Sequence, residues 1–148
     1  MLHAGAMALP HLPADAQSIW VGDGPLHAEA MACITRLGLS MRVRLVGHSD
    51  DVPSWLVSAD VFALSSHNEG MANTLLEAMA CGLPSVATAV SGTAQLLVQP
   101  NAGVVVPVGD MEALADAMIR LAADRDLRAQ MGQRARALIE AEYSIDGV

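Results

Sequence analysis

The sequence predicts one α/β domain, residues 1–148, with an open, mostly parallel sheet and helices on both of its faces. Short apolar or β-branched runs alternate with helical patterns along most of the chain, which is the order that such a sheet requires. Hydrophobic residues make up 53% of the 148, enough for a real core, and no repeat or linker divides them. The predicted strands are residues 18–22, 42–46, 61–65, 85–88 and 103–107.

Helical patterns lie between or after these strands. The predicted helices are residues 25–37, 50–59, 72–81, 111 to about 123, and about 126 to 142. The first has an apolar face formed by Leu26, Ala30, Ile34 and Leu37. The third is apolar nearly all round, so we expect that helix to be mostly buried.

The charge balance excludes several classes of protein. Eight Lys+Arg residues, all of them arginine, stand against sixteen Asp+Glu, and the net charge of −8 argues against a general nucleic-acid binder.

No apolar run is long enough for a transmembrane helix, and the first residues lack the pattern of a signal peptide. Cys33 and Cys81 lack metal-ligand spacing and are interpreted as reduced, buried thiols. We therefore expect a cytoplasmic location, with peripheral contact to the inner face of the membrane left open.

Three loops stand at the carboxyl ends of predicted strands, where open α/β sheets bind ligands. They are Gly22-Asp23-Gly24 with Pro25, residues 47–51 beginning with Gly47-His48, and residues 65–70. Glycine in such a loop lets the backbone approach a ligand closely. The alternative, that residues 22–25 are only a tight turn, stays open.

Two glutamates flank the start of the third helix. Glu77 is the only charged residue between Gly70 and Pro84, and a carboxylate on a buried helix needs a hydrogen-bonding partner, such as sugar or ribose hydroxyls. Glu69 precedes the helix, where its charge favours the positive end of the dipole. The alternatives are a capping acid for Glu69 and a solvated helix face for Glu77. Taken together with the glycine loops, the pair favours a ligand site.

The start of that helix also predicts a phosphate site. The backbone N–H groups at a helix N-terminus have no partner within the helix, and they bind anions readily. The residues concerned are Gly70, Met71, Ala72 and Asn73. In an acidic protein, an anionic ligand needs such local compensation.

These residues resemble family 4 retaining glycosyltransferases of the GT-B fold. Glu69 and Glu77, with seven residues between them, match the family's E-x7-E motif, and residues 69–88 look like its most typical stretch. Residues 21–26, 42–51 and 103–109 match further landmarks in the right order, so the resemblance covers about residues 19–148. It implies the C-terminal, Rossmann-like half of such an enzyme, which binds a UDP- or GDP-linked sugar.

The resemblance also implies roles for the candidate residues. Glu77 would bind the ribose hydroxyls, and Glu69 would contact the donor sugar near the reacting carbon. The backbone amides of residues 70–73 would hold the diphosphate. The backbone at residues 47–48 would receive the base, and the loop of residues 22–24 would border the nucleotide. No metal or other cofactor is implied, and the adjacent Asp50 and Asp51 are interpreted as a helix start.

The departures from the family predict that the chain is truncated at both ends, since residues 143–148 resemble only the start of the family's final segment. The family's first strand, the Gly-Arg…Lys segment that clamps the diphosphate, and the acceptor-binding N-terminal domain have no counterpart in the sequence. In the strand order 3-2-1-4-5-6, that first strand is central. We therefore expect residues 19–21 and 61–64 to flank a gap or a poorly formed pairing.

The missing N-terminal half would bind a glycan or lipid-linked acceptor. Without that half, we expect the isolated chain to be nearly inactive. A second hypothesis is a non-catalytic nucleotide-binding module or remnant of such an enzyme. A third, a sugar-nucleotide epimerase of the same fold, is disfavoured because such enzymes do not usually show the E-x7-E segment.

Overall fold

The computed structural model describes residues 7–66, 73–90, 92–99 and 101–143. Within these ranges, every predicted strand is present and each of its bounds lies within one residue of the prediction. The strands are β1 (Ser18–Val21), β2 (Val43–Gly47), β3 (Phe62–Leu64), β4 (Ser85–Thr88) and β5 (Gly103–Val106). The periodicity of the sequence therefore located the strands correctly.

The predicted helices are also present, and the described residues add one that the sequence did not predict. The helices are α1 (His27–Arg36), α2 (Val52–Val57), α3 (Asn73–Ala80), α4 (Thr93–Leu97), α5 (Met111–Ala123) and α6 (Arg125–Glu142), preceded by a short 3-10 helix at Leu9–His11. The unpredicted helix is α4, which has five residues. That is too short for helical periodicity to emerge from the sequence. None of the helices in the described ranges is long and apolar enough to cross a bilayer.

The strands form two sheets in the described part of the chain. β1 pairs with β2, and β3, β4 and β5 form a second sheet in that order, with every strand pair parallel. The predicted parallel α/β architecture is thus confirmed. β1 and β3 belong to different sheets and are not paired with each other in the described residues, while a gap between residues 19–21 and 61–64 stays a prediction. A missing central strand as its cause stays a prediction.

The first sheet organises what we call the two-strand half, residues 7–47. Its core contains Leu9, Ile34 and Val43, with Trp20 and Leu45 partly buried against them. α1 therefore covers one face of β1 and β2. On the other face, the alternate residues of β1, Ile19 and Val21, are 36% and 38% exposed.

Arg42 connects the start of β2 to the segment before β1. Its guanidinium donates hydrogen bonds to the carbonyl oxygens of Leu9 at 2.7 Å, Pro13 at 2.7 Å and Ala16 at 3.2 Å. Hydrogen bonds from a charged donor are stronger than neutral ones. This one side chain therefore holds residues 9–16 in place.

The second sheet organises the three-strand half, residues 52–143. All four residues of β4 are buried, because this strand has a neighbour on each edge and helices on each face. One cluster places α5 and Met131 of α6 against Val86, and another places α3 and Ala135 of α6 against Ala87. α2 packs onto this half through Leu56, which contacts Ala78 and Leu83.

Two glycines allow the closest backbone contacts of the three-strand half. A Cβ on Gly132 of α6 would overlap the carbonyl oxygen of Gly82, and a Cβ on Gly103 of β5 would overlap that of Ser85. Gly82 follows α3 in a left-handed turn with φ of 74°. Glycine at position 132 therefore lets α6 lie directly against that turn.

Three expectations about burial were wrong. In α1, Ile34 is buried as predicted, but Leu26 and Leu37 are 67% and 46% exposed, because they lie in the turns just before and after the helix. α3 is buried on one side only, through Leu75, Ala78 and Met79, while its other side faces solvent. Cys33 and Cys81 are free thiols, as expected, but they are only half-buried.

Candidate active site at the carboxyl edge of the sheets

The loops that follow β1 and β2 lie side by side. The N–H of Gly22 donates to the carbonyl oxygen of Gly47 over 2.7 Å. Both glycines have positive φ, 135° and 78°, a backbone conformation that other residues rarely adopt. The structure thus brings together two of the predicted nucleotide-binding segments.

Asp23 gives the first loop its shape. Its carboxylate accepts a hydrogen bond from the Gly24 N–H at 2.8 Å, and the carbonyl of Gly24 accepts one from the N–H of His27 at 3.1 Å. The His27 ring also lies beside Asp23, with 3.6 Å between Nδ1 and Oδ1. These contacts are those of a tight turn that leads into α1, so that interpretation remains open beside the ligand-binding one.

The second loop presents His48 to solvent. Its Nε2 lies 3.0 Å from Oδ1 of Asp50, and both side chains are exposed. Asp51 accepts a hydrogen bond from the N–H of Ser54 at 3.3 Å and so caps α2. The interpretation of Asp50 and Asp51 as a helix start is therefore confirmed.

Glu77 lies on the solvent-facing side of α3. Asn73 opens this helix and is also exposed, one turn before Glu77. The expectation that Glu77 is buried was wrong, because the apolar residues of α3 occupy only the side that packs on the sheet. An exposed carboxylate needs no partner, so burial is no longer an argument for a ligand there.

The other predicted site residues of this segment lie outside the described residues. They are Glu69, Gly70, Met71 and Ala72, and His67 lies outside as well. The roles that the resemblance implies for them remain predictions.

A group of buried hydroxyls at the ends of β3 and β4 was not predicted. Thr88, the last residue of β4, donates through Oγ1 to the carbonyl of Ser66 at 2.6 Å. Thr93 donates through its own Oγ1 to the carbonyls of Thr88 and Val90, each at 2.8 Å. The available signal was a threonine at the end of a predicted apolar strand, which needs a hydrogen-bond partner when buried.

The structure also has a shallow cavity of about 300 Å³ at the opposite edge, before β3 and β4. It is lined by Val57, Ala59, Asp60, Cys81, Gly82, Leu83, Pro84, Arg125, Arg128 and Ala129. None of these was predicted as a site residue. One of the lining residues already has a structural role, since Arg128 donates to the carbonyls of Leu121 and Ala122 at the end of α5.

Electrostatics of the described residues do not single out a catalytic group. The pKa of Arg136 is raised by its hydrogen bond to Glu140 and by the attraction between their charges, but this pair lies exposed on α6. Among residues 7–66, 73–90, 92–99 and 101–143, no three His, Cys, Asp or Glu side chains are grouped closely enough to hold a metal ion. The candidate site is thus defined by its backbone geometry at the carboxyl edge.

Comparison with known proteins identifies relatives for most of the chain. The chain is 35% identical over 129 residues to N-acetyl-alpha-D-glucosaminyl L-malate synthase of Bacillus anthracis, covering 87% of this chain and 34% of that protein. It is 33% identical over 131 residues to the lipopolysaccharide core biosynthesis glycosyltransferase LpsE of Rhizobium meliloti (strain 1021), covering 88% and 38%. The chain thus spans about a third of the length of these relatives.

The fold has solved counterparts. The crystal structure of Anabaena Alr3699/HepE in complex with UDP superposes with a TM-score of 0.87 at 28% identity, over 97% of this chain and 41% of that one. The sequence profile described as "Glycosyl transferases group 1" matches residues 3–124. The chain therefore belongs to the group 1 family of glycosyl transferases.

Proposed function

We propose that this chain is the donor-binding part of a retaining glycosyltransferase, which transfers a hexosyl group from a UDP- or GDP-linked sugar to an acceptor. The observation that carries the proposal is the pairing of the Gly22 and Gly47 loops at the carboxyl edge, within a chain of this family. Open α/β sheets bind their ligands at this edge. The structure of the similar Alr3699/HepE contains UDP, which supports a nucleoside diphosphate as the ligand.

The nucleotide would lie across the two halves of the chain. The backbone at Gly47 and His48 would receive the base, and the loop of residues 22–24 would border the nucleotide. Glu77 would accept hydrogen bonds from the ribose hydroxyls. Its exposure favours this role, since the carboxylate is accessible from the side of α3 that does not pack on the sheet.

The resemblance assigns the chemistry to the segment between β3 and α3. The backbone amides of residues 70–73 would hold the diphosphate, and Glu69 would contact the donor sugar near its reacting carbon. The leaving group is a nucleoside diphosphate, so stabilising the negative charge that develops on it is the main catalytic task. Partly positive N–H groups at the start of α3 would perform that task without any other cofactor.

A glycan or lipid-linked acceptor would be bound by a domain outside residues 1–148. We also propose peripheral contact of the protein with the inner face of the membrane. Holding two reactants together accounts for several kcal/mol of a catalysed barrier. We therefore expect negligible transfer by the isolated 148-residue chain. Robust turnover of UDP-glucose by that chain, measured as release of UDP, would contradict this part of the proposal.

Calorimetric titration with UDP and GDP tests the proposed site. We expect Glu77→Gln to weaken binding by about 1.5–3 kcal/mol, the range for hydrogen bonds that involve a charged group. Glu142→Gln, which removes an exposed carboxylate at the far end of α6, is the matched control and should bind as the wild type does.

The outcomes separate the hypotheses. Unchanged affinity in a folded Glu77→Gln protein would give Glu77 the role of a solvated helix residue. Nucleotide binding by a longer protein that includes the acceptor domain, without any transfer from a panel of UDP- and GDP-sugars, would favour the non-catalytic module. Absence of nucleotide binding in both proteins would exclude both functions.

A further inference from the structure

We propose that Thr88 is a positioning residue of the donor site, which sets the point where the chain leaves β3 on its way to α3. The inference rests on the proposed function, since it concerns the same carboxyl edge. Its basis is the hydrogen bond from Thr88 Oγ1 to the carbonyl of Ser66, which is 2.6 Å long and joins residues 22 positions apart in the sequence.

This contact lies beyond the end of the β3–β4 ladder. The paired residues of the two strands end at Leu64 and Ala87. Ser66 lies two residues past that point and is half-buried, and Thr88 is only 2% exposed. The side chain of Thr88 therefore extends the connection between the two strands where backbone pairing has stopped.

Thr88 is itself held by a second buried hydroxyl. Thr93, which is fully buried, donates to the carbonyl of Thr88, and the N–H of Ala89 donates to the carbonyl of Val106 on β5 at 2.8 Å. The backbone around Thr88 is thus fixed from α4 and from β5. A donor fixed in this way can define the position of its acceptor, the Ser66 carbonyl.

The location gives this bond a functional meaning. Ser66 is followed by the segment that leads to Asn73 and Glu77, two of the described residues of the proposed donor site. A displacement of about 1 Å in a positioning group can strongly reduce the function of a binding or catalytic site. Loss of the Thr88 hydroxyl would therefore weaken nucleotide binding, in addition to lowering the stability of the fold.

The same strand provides a matched control. Ser85 at the start of β4 is also fully buried, and its hydroxyl also donates to a carbonyl, that of Leu83 at 3.3 Å. It lies at the opposite edge of the sheet. Removing either hydroxyl is expected to lower stability, but only Thr88 is connected to the donor edge.

The experiment is a calorimetric UDP titration and a thermal melt of the 148-residue wild type, Thr88→Val, Thr88→Ser and Ser85→Ala. We expect Thr88→Val to bind UDP about tenfold more weakly, the upper range for losing one hydrogen bond. Thr88→Ser keeps the hydroxyl and should bind within about twofold of the wild type. Ser85→Ala should melt at a lower temperature but keep its UDP affinity.

Hydrogen exchange gives a second readout that does not require nucleotide. Peptides covering residues 65–76 and 85–93 should exchange faster in Thr88→Val and recover in Thr88→Ser, while Ser85→Ala should leave residues 65–76 unchanged. If Thr88→Val and Ser85→Ala reduce UDP affinity equally, or if both accelerate exchange in residues 65–76, the positioning role is wrong. If the wild type binds no UDP, the titrations are repeated with GDP. If it binds neither nucleotide, the proposed function fails for this chain, and the exchange pattern alone decides whether Thr88 positions Ser66.

Discussion

The two halves of the molecule differ in how they are stabilised. Of the twenty buried hydrophobic residues in the described chain, only Ala8, Leu9, Ile34 and Val43 belong to the two-strand half. Seven of the eleven exposed large hydrophobic side chains lie there, and these are Met7, Ile19, Val21, Leu26, Met31, Leu37 and Met41. Since burial of apolar surface is the dominant favourable contribution to folding, the two-strand half has the smaller driving force for each residue.

The difference follows from the environment of the strands. β4 has a parallel neighbour on each edge and is buried along its whole length. In the described part of the chain, β1 has one neighbour and leaves Ile19 and Val21 on an open face. Parallel sheets normally have both faces covered, so the two-strand half lacks part of the cover that its side chains require. The same alternation of strands and helices thus gives a fully buried strand where that strand is paired on both edges, as β4 is, and leaves apolar side chains exposed on β1.

The largest expected effect concerns the close packing of the three-strand half. Gly132→Ala places a Cβ against the carbonyl of Gly82, and a backbone oxygen cannot avoid it by changing rotamer. We expect a loss of about 3 kcal/mol in the free energy of unfolding, the upper end for overpacking, partly offset by the better helix propensity of alanine. Urea denaturation followed by circular dichroism measures it.

Gly24→Ala is the control for that prediction in the other half. Nothing lies within 4 Å of a Cβ at this position. A substitution without a clash should change stability by no more than about 0.5 kcal/mol. Equal losses of unfolding free energy in the two variants would show that the tight contact between α6 and the Gly82 turn is not the reason why Gly132→Ala is destabilising.

A somewhat smaller effect is expected from the contact that holds the two-strand half together. Arg42→Ala removes three hydrogen bonds to the backbone of residues 9–16, and we expect a loss of about 2 kcal/mol by the range for charged donors. Because local regions can open separately, faster hydrogen exchange should be confined to residues 9–21 and 43–47. Arg44→Ala, which removes an exposed arginine from β2, should leave exchange there unchanged. A uniform acceleration that includes β4 would show that the two halves unfold as one unit.

The smallest effect concerns helix capping. Asp124 accepts a hydrogen bond from the N–H of Leu127 at 2.9 Å at the start of α6, whereas α1 begins at Leu26 without any side-chain cap. Asp124→Asn keeps a capping oxygen and should be close to neutral, while Asp124→Ala should lose about 1 kcal/mol of unfolding free energy. A thermal melt compares the two. If alanine and asparagine behave alike, the cap does not contribute to the difference between the halves.

Sequence periodicity predicted the strands and the longer helices, because alternation and helical spacing are local properties. The N-cap of α5 is Asp110, which accepts a hydrogen bond from the N–H of Ala113 at 2.9 Å. The five-residue helix α4 and the exposed side of α3 were not predicted, since they depend on which elements pack together. Glu77 is the clearest case, because its local sequence is apolar but its position on the helix is exposed.

The candidate site was predicted in part. The glycines at residues 22 and 47 were expected at one sheet edge, and the structure joins them by a hydrogen bond. The contact between Thr88 and Ser66 could not be predicted, because it joins residues distant in sequence through a carbonyl that no side-chain pattern marks. The roles of Glu69 and residues 70–72 continue to rest on the family resemblance.

The positions of the two tryptophans make the halves optically distinguishable. Trp20 of β1 is partly buried in the core of the two-strand half, and its Nε1 donates to Ser18 Oγ at 2.8 Å. Trp55 lies on α2, the helix that packs onto the three-strand half, and its Nε1 donates to Ser49 Oγ at 3.2 Å. The sequence contains no other tryptophan. Trp20→Phe and Trp55→Phe would therefore each leave a single indole emitter, and the emission of each variant would report on one half of the molecule as it opens.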